Sequence, residues 1–211
     1  MGTASGFDSV RLYVLVTAEL CRGDWLEAAR AAMDGGAECV QLREKQLPDR
    51  ELLYRATALT ELAHSKNALC IINDRADIAR LAGADGVHVG QEDLGVAEVR
   101  RTVGESLLVG KSTHSPQEVV TAATERPDYL AIGPMFASHT KPQVRVLASS
   151  EALIKAARGA FAGPIVAIGG IDAENVGELV SAGVNRVAVC SAVIGADDPA
   201  AAARAIRKQL P

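Results

Sequence analysis

The chain is poor in aromatic residues, which make up 3% of its 211 residues, whereas hydrophobic residues make up 48%. A hydrophobic core must therefore be built from Val, Ile, Leu and Ala, and the length suits a single globular domain. The chain also lacks an excess of positive charge, because its formal net charge is −4 at pH 7. Proteins that bind nucleic acids usually present a basic face, so we expect no nucleic-acid partner.

Cysteine is scarce as well. Four cysteines are present, and no two of them have CxxC spacing, which argues against a zinc site. Three lie in apolar, strand-like segments, so we expect reduced core residues in a reducing compartment. The first residues, MGTASGFDSVR, contain no apolar segment of a signal peptide. No apolar run approaches the roughly 18 residues of a membrane span. These features predict a cytoplasmic protein without a membrane partner.

Short β-branched segments alternate with Ala- and Leu-rich amphipathic segments along the whole chain. Each short segment is almost continuously apolar at its centre, which is typical of parallel strands covered on both sides. The helical segments begin with capping signals, for example Ser115-Pro116-Gln117-Glu118, which has the form of a capping box. The predicted strands are residues 11–17, 39–44, 69–74, 86–90, 107–113, 129–134, 164–170 and 186–191, and the predicted caps are Asp24, Ser115, Asp172 and Asp198.

Eight successive strand–helix units favour a (β/α)₈ barrel. An open doubly wound sheet is the alternative, although no GxGxxG follows the first strand. We expect one barrel domain over residues 1–211, with a loose N-terminal segment over residues 1–10. The sequence leaves open whether the chain forms a homodimer.

Polar residues at the strand ends are the candidate functional residues, because barrel enzymes place their sites at the C-terminal ends of the strands. Gln41, Arg43 and Lys45 alternate at the end of the second strand, which puts them on one side of it. Gln41 lies within the strand, where an amide without a role is costly to bury. The alternative is a solvated loop in which Arg43 or Lys45 pairs with an acid.

Two carboxylates follow neighbouring strands. Asp74 ends the third strand beside Asn73, and Asp93 follows the fourth. Close carboxylates repel each other, and a divalent cation relieves that repulsion. Mg²⁺ typically takes one or two carboxylates together with substrate phosphate oxygens. The alternative is that Asp74 and Asp77 serve only to begin a helix.

The remaining strand ends offer groups for binding anions. The fifth offers Lys111, Ser112 and His114, and paired glycines in the seventh suggest a phosphate site. We infer two anion sites, one for a monophosphate and one, with more positive charge, for a diphosphate. The sixth-strand loop offers Ser138, Thr140 and Lys141, and the last two strands offer Gly169, Gly170, Cys190 and Ser191.

These motifs, in this order, resemble the thiamine-phosphate synthase family. The matching segments are "QLREK" (41–45), "ND" (73–74), "HVGQED" (88–93), "GKSTHS" (110–115), "GPMF…TK" (133–141), "IGGI" (168–171) and "VCSA" (189–192). The resemblance implies a (β/α)₈ barrel that couples hydroxymethylpyrimidine diphosphate with a carboxylated thiazole phosphate. It also implies Mg²⁺ as the cofactor and a dissociative reaction without a side-chain nucleophile.

The resemblance also implies roles for individual residues. Asp74 and Asp93 are the implied Mg²⁺ ligands, and Arg43, Lys45 and Lys141 stabilise the leaving diphosphate. The pyrimidine diphosphate site comprises Gln41, Leu42, Arg43, Glu44, Lys45, Asn73, Ser112 and Lys141, and the thiazole phosphate site comprises Ser138, His139, Thr140, Gly169, Gly170, Cys190 and Ser191.

The chain departs from the family pattern at Ala131, Ser138, Gln143 and Cys190. The sequence leaves two alternatives. A sister family of thiazole tautomerases shares the barrel but has no use for Lys45, Asp74, Asp93 and Lys141, which are retained here. The other alternative is a non-catalytic barrel that binds phosphate ligands. In such a protein we expect the metal-binding carboxylates to be replaced by other residues.

Overall fold

The structure, a computed structural model, describes residues 4–136 and 150–211. Eight parallel strands form a closed barrel in which each strand pairs with the next and the last pairs with the first. This confirms the (β/α)₈ prediction over the doubly wound sheet. The strands are β1 Leu12–Val16, β2 Cys39–Leu42, β3 Leu69–Asn73, β4 Gly86–Val89, β5 Leu108–Thr113, β6 Tyr129–Ile132, β7 Ile165–Ile168 and β8 Val187–Val189.

Helices follow the strands and pack around the barrel. Most of the predicted strand segments extend past the observed C-terminal ends, so that Arg43 and Gly169, for example, lie beyond their strands. The helices are α1 Ala4–Phe7, α2 Trp25–Asp34, α3 Asp49–Ser65, α4 Ala76–Leu81, α5 Val96–Val103, α6 Pro116–Thr124, α7 Ser150–Ala160, α8 Val176–Ser181, α9 Ser191–Ile194 and α10 Pro199–Arg207, and a 3₁₀ turn spans Ala18–Leu20.

Three of the four predicted helix caps are confirmed. Asp24 accepts hydrogen bonds from two backbone N–H groups of α2, and Ser115 and Asp198 each accept one from the first turn of α6 and α10. The prediction for Asp172 is wrong in position. Its carboxylate accepts from the N–H groups of Glu174 and Asn175 in a turn, and α8 begins only at Val176.

Apolar side chains fill both the layer between strands and helices and the interior of the barrel. Phe7 closes the end where the strands begin: it is 1% exposed and its ring stacks on Tyr129 with the ring centroids 4.1 Å apart. Val10 is also buried. The expectation of a loose segment over residues 1–10 is therefore wrong from Phe7 onwards, because this short segment buries an aromatic ring inside the barrel.

Cys39 and Cys70 are fully buried, as expected of core residues, whereas Cys190, the third cysteine of a predicted strand, is only partly buried. Across the described residues, the helices are too short or too polar to span a bilayer.

Candidate active site at the C-terminal end of the barrel

A cavity of about 370 Å³ opens at the C-terminal ends of the strands. Apolar residues of the barrel interior form part of its lining, and polar residues from β2 to β5 and their loops form the rest. The lining residues are Tyr13, Leu15, Gln41, Arg43, Lys45, Asn73, Asp74, His88, Gly90, Gln91, Glu92, Asp93, Ser112, His114, Ala131, Ile168 and Ala188.

The polar end of β2 faces this cavity, as predicted from its alternation. Gln41 lies within the strand and is 2% exposed, and its Nε2 donates a hydrogen bond to the Tyr13 hydroxyl. Arg43 and Lys45 follow the strand and still line the cavity. The alternative interpretation is also partly correct, because Lys45 Nζ lies 3.4 Å from Asp74 Oδ2. Asp74 is itself a predicted site residue, so the ion pair of Lys45 and Asp74 is part of the cavity.

The structure does not bring the side chains of Leu42 and Glu44 to the cavity. Leu42 is 1% exposed and packs in the layer between strands and helices. Glu44 Oε1 accepts a hydrogen bond from the backbone N–H of Ala18 at 2.7 Å and lies 3.4 Å from Arg55 Nη1. Successive side chains of an extended segment point to opposite sides, so the residues between Gln41, Arg43 and Lys45 face outward.

Asp74 and Asp93 both line the cavity, close enough for Asp93 to affect the pKa of Asp74. Burial raises the pKa of Asp74, the neighbouring Asp93 raises it further, and Lys45 lowers it. Asp93 Oδ2 accepts a hydrogen bond of 2.7 Å from the backbone N–H of Gly90, which fixes its loop. Two carboxylates that repel each other beside an open cavity form a donor set that fits Mg²⁺.

The helix-start interpretation of Asp74 is wrong. Asp74 has a left-handed φ of 61°, and α4 begins at Ala76 without a side-chain cap. Asp77 instead forms an ion pair with Arg75. In the parts of the chain that the structure describes, no group of three or more His, Cys, Asp or Glu side chains is arranged to hold a metal ion by itself. A cation at Asp74 and Asp93 would therefore complete its coordination with substrate or water oxygens.

The end of β5 contributes Ser112 and His114 to the lining, but not Lys111. Lys111 is 3% exposed, and its Nζ lies 3.8 Å from Glu125 Oε2, on the helix side of the barrel. The suggestion that Lys111 supplies a cation to the site is therefore wrong.

His114 Nδ1 lies 2.7 Å from the carbonyl oxygen of Gly133, to which it can only donate. Asn73 lines the cavity beside Asp74, as predicted.

Three buried polar residues of the barrel interior were missed by sequence reasoning: Tyr13, His88 and Tyr129. His88 lies between Tyr129 and Ser112, with hydrogen bonds of 3.0 Å from Nδ1 and 2.8 Å from Nε2. Burial lowers its pKa to about 4, so the imidazole is neutral near pH 7. The sequence did contain an indication of His88, because a histidine inside an apolar strand is buried and needs hydrogen-bond partners.

The four residues predicted at the ends of β7 and β8 lie outside the lining of this cavity. Gly169 and Gly170 have positive φ values of 101° and 65°, and Cys190 and Ser191 follow β8. Ile168 in β7 and Ala188 in β8 do line the cavity, so the C-terminal ends of these two strands lie next to it. The predicted residues Ser138, His139, Thr140 and Lys141 lie outside the described residues, as does the departure at Gln143. The monophosphate site and the role of Lys141 stay predictions.

Comparisons with known proteins show the family of the chain. Residues 12–193 match the family model described as thiamine monophosphate synthase. The chain is 45% identical over 206 residues to a thiamine-phosphate synthase of Methanoculleus marisnigri, covering 97% of this chain and 96% of that one. It is 39% identical over 211 residues to a thiamine-phosphate synthase of Mycobacterium tuberculosis, with 96% and 95% covered.

Solved structures give the same result. A thiamine phosphate pyrophosphorylase from Pyrococcus furiosus superimposes with a TM-score of 0.85 at 33% identity, over 95% of both chains. A 3-hexulose-6-phosphate synthase superimposes with a TM-score of 0.67 at 19% identity, over 95% of this chain and all (100%) of that one, and shows the shared barrel fold alone. The chain belongs to the thiamine-phosphate synthase family.

Proposed function

We propose that this thiamine-phosphate synthase couples hydroxymethylpyrimidine diphosphate with a carboxylated thiazole phosphate, releasing diphosphate and CO₂. The observation that supports these substrates most is the composition of one cavity wall. Two cationic side chains, Arg43 and Lys45, and two carboxylates, Asp74 and Asp93, line the same cavity as the buried amide of Gln41. A diphosphate with a divalent cation suits the charged wall, and a flat polar heterocycle suits the amide.

Arg43 and Lys45 bind the diphosphate. A guanidinium can donate two parallel hydrogen bonds to a phosphate, whereas an ammonium acts as a compact point charge. Lys45 lies 3.4 Å from Asp74 Oδ2, so it can also bridge the diphosphate and the metal ligands. Ser112 lines the same cavity and adds a hydroxyl. The family resemblance adds Lys141 to this set.

Asp74 and Asp93 hold Mg²⁺ in this proposal. A cation bound there would supply positive charge that stabilises the leaving diphosphate. The fit rests on the two carboxylates that line the same cavity; burial, and then the neighbouring Asp93, raise the pKa of Asp74, and a bound cation would favour its ionised form.

Gln41 and Asn73 orient the pyrimidine. The Gln41 Nε2 donates to Tyr13, which leaves its carbonyl oxygen to accept from the ring amino group. The thiazole phosphate is assigned by resemblance to the edge formed by the β7 and β8 ends together with the sixth-strand loop. These residues are Ser138, His139, Thr140, Gly169, Gly170, Cys190 and Ser191.

The chemistry then needs orientation and charge stabilisation from the protein. The bond between the pyrimidine methylene and the diphosphate oxygen breaks, and its electron pair leaves with the diphosphate. The ring amino group stabilises the methylene cation, and the thiazole nitrogen lone pair forms the new carbon–nitrogen bond. The bond between the thiazole ring and its carboxylate then breaks, CO₂ leaves, and the electron pair stays on the ring carbon, which takes up a proton from solvent. Arg43 and Lys45 stabilise the leaving charge, while the apolar floor of Leu15, Ile168 and Ala188 limits access of water to the cation.

The test is to measure diphosphate release and thiamine phosphate formation together, from both substrates, with and without Mg²⁺. We expect stoichiometric production of both, dependent on Mg²⁺. Diphosphate release that is independent of Mg²⁺ would refute the metal assignment. Isomerisation of the thiazole phosphate without coupling would show the tautomerase reaction, and binding without turnover would show a non-catalytic barrel. Either of the last two results would refute the proposed substrates.

A further inference from the structure

Five polar side chains form one continuous hydrogen-bonded chain across the interior of the barrel. Gln41 Nε2 lies 2.5 Å from the Tyr13 hydroxyl, which lies 3.2 Å from the Tyr129 hydroxyl. The Tyr129 hydroxyl lies 3.0 Å from His88 Nδ1, and His88 Nε2 lies 2.8 Å from Ser112 Oγ. Both ends of the chain, Gln41 and Ser112, are residues of the proposed pyrimidine diphosphate site.

The donors and acceptors of this chain follow one direction. The Gln41 amide nitrogen can only donate, so the Tyr13 hydroxyl accepts from it. Tyr129 is the other partner of this buried hydroxyl among the described residues, so a satisfied Tyr13 donates its proton to Tyr129. Tyr129 then donates to His88 Nδ1. A neutral imidazole has one N–H, so the proton of His88 is on Nε2 and is donated to Ser112 Oγ. The Ser112 proton is thereby left free to point into the cavity.

The strand register shows how the sequence makes this chain possible. His88 on β4 pairs with Gly110 on β5, and Gly110 pairs with Tyr129 on β6. A Cβ atom at Gly110 would clash with Tyr129 Cζ and would lie 2.5 Å from His88 Nδ1. The missing side chain therefore lets the Tyr129 hydroxyl cross β5 and reach the imidazole.

The direction of the chain has a consequence at each end. A diphosphate has only acceptor oxygens, so it needs a donor from Ser112. The same direction leaves Gln41 Oε1 without a donor among the described residues, ready to accept from a pyrimidine amino group. If the chain ran in the reverse direction, Ser112 would donate its proton to His88, and the NH₂ group of Gln41 would face the pyrimidine ring.

We propose that His88 is a positioning residue that, with Tyr129 and Tyr13, sets Ser112 as a donor to the diphosphate and Gln41 as an acceptor for the pyrimidine. The two ends of one substrate are thus recognised by a single ordered chain. This inference rests on the proposed function for the identity of the substrate, but not for the direction of the chain.

The direct test is the imidazole ¹⁵N spectrum of the free protein with labelled histidine. We expect His88 to carry its proton on Nε2. His114 donates from Nδ1 to Gly133 and so serves as an internal reference for the opposite tautomer. The His88→Gln variant assigns the signal. A proton on Nδ1 of His88, or a doubly protonated ring, at neutral pH would overturn the proposed direction whether or not the protein is active.

The functional test is a double-mutant cycle between Tyr129 and Ser112, which are bridged by His88. Tyr129→Phe removes one hydroxyl and should lower kcat/KM for the pyrimidine diphosphate about tenfold. In the Ser112→Ala background the same change should cost less than about twofold, because the chain no longer ends at the substrate. Equal losses in both backgrounds would refute the coupling.

Two controls separate positioning from packing. Phe7→Leu disturbs the ring stacked on Tyr129 without removing a member of the chain, so its effect should be the same with Ser112 or Ala at position 112. His88→Gln places an amide near the position of Nε2 and can still donate to Ser112, whereas His88→Asn is too short to reach it. We expect His88→Gln to keep about ten times more kcat/KM than His88→Asn. Equal values for the two variants would overturn the role of His88, even where Tyr129→Phe fails to fold.

Failure of this inference can be distinguished from failure of the proposed function. An inactive wild-type protein would refute the function and leave the tautomer result standing. An active wild-type protein with additive variants would refute only the positioning role.

Discussion

Substitution of Asp93 by asparagine tests the metal site through stability as well as activity. Asn retains an oxygen that can accept the 2.7 Å hydrogen bond from the N–H of Gly90, so the loop should keep its conformation. What Asp93→Asn removes is one negative charge beside Asp74. In the absence of Mg²⁺ this should relieve a repulsion that the folded protein otherwise tolerates.

The size of this relief follows from elementary electrostatics. Two like charges about 4 Å apart repel by about 4 kcal/mol at an effective dielectric constant of about 20. Lys45 Nζ lies 3.4 Å from Asp74 Oδ2 with its side chain 54% exposed, so the ammonium and the solvent cancel most of the repulsion. A net gain of about 1 kcal/mol remains, which corresponds to a rise in Tm of roughly 2–4 °C.

The assay is thermal unfolding with and without Mg²⁺, in parallel with thiamine phosphate formation. Asp93→Asn should melt higher than wild type without Mg²⁺, gain little from added Mg²⁺, and lose at least about a hundredfold in turnover. Asp77→Asn is the matched control, because Asp77 lies nearby but pairs with Arg75 outside the cavity lining. A variant with the wild-type melting temperature and an unchanged Mg²⁺ activation curve would refute the metal assignment.

Three further predictions concern residues whose roles differ from the sequence-based expectation or were missed by it. Phe7→Ala should lower the free energy of unfolding by about 3–5 kcal/mol in urea titrations, because it opens the closed end of the barrel; a loss below about 1 kcal/mol would restore the loose-segment interpretation. Lys111→Met should cost no more than about 1 kcal/mol, because Glu125 is partly exposed and keeps its hydrogen bond from the N–H of Val96, and it should leave kcat/KM within about twofold; a large loss of activity at unchanged stability would return Lys111 to the site. The pKa of His88 is lowered from 6.5 to about 4, so the unfolded chain binds this proton first and stability is lost as pH falls from about 6.5 to about 4. Wild type should therefore lose about 3 kcal/mol more than His88→Gln over that range, and equal losses would contradict a neutral buried imidazole.

Much of the barrel could be predicted because parallel strands buried on both faces leave continuous apolar segments in the sequence. The cavity wall could be predicted for a related reason. Gln41, Asp74 and Asp93 are polar residues where burial or mutual repulsion is costly, so their presence indicates a function. The helix-start interpretation of Asp74 was wrong because residue type alone does not show that its backbone is left-handed.

Side-chain direction limited the prediction elsewhere. Lys111 and Ser112 are adjacent, and the sequence offers both to the site, but in a strand only one of two neighbours can face the cavity. Which one it is depends on the barrel interior. The register decides it, because Ser112 pairs with Ala131 on β6, and both line the cavity, whereas Lys111 pairs with Leu130.

The hydrogen-bonded chain across the interior was out of reach of spacing arguments, because Tyr13 and Tyr129 are 116 residues apart. A local signal nevertheless exists in Gly110. A glycine inside an otherwise apolar strand weakens that strand, and it often marks a site where another group of the protein or a ligand approaches the backbone closely. Once β4, β5 and β6 are taken as neighbours, a glycine between a histidine and a tyrosine indicates a contact that crosses the middle strand. The same pattern should therefore locate buried polar chains in other small barrels from their sequences.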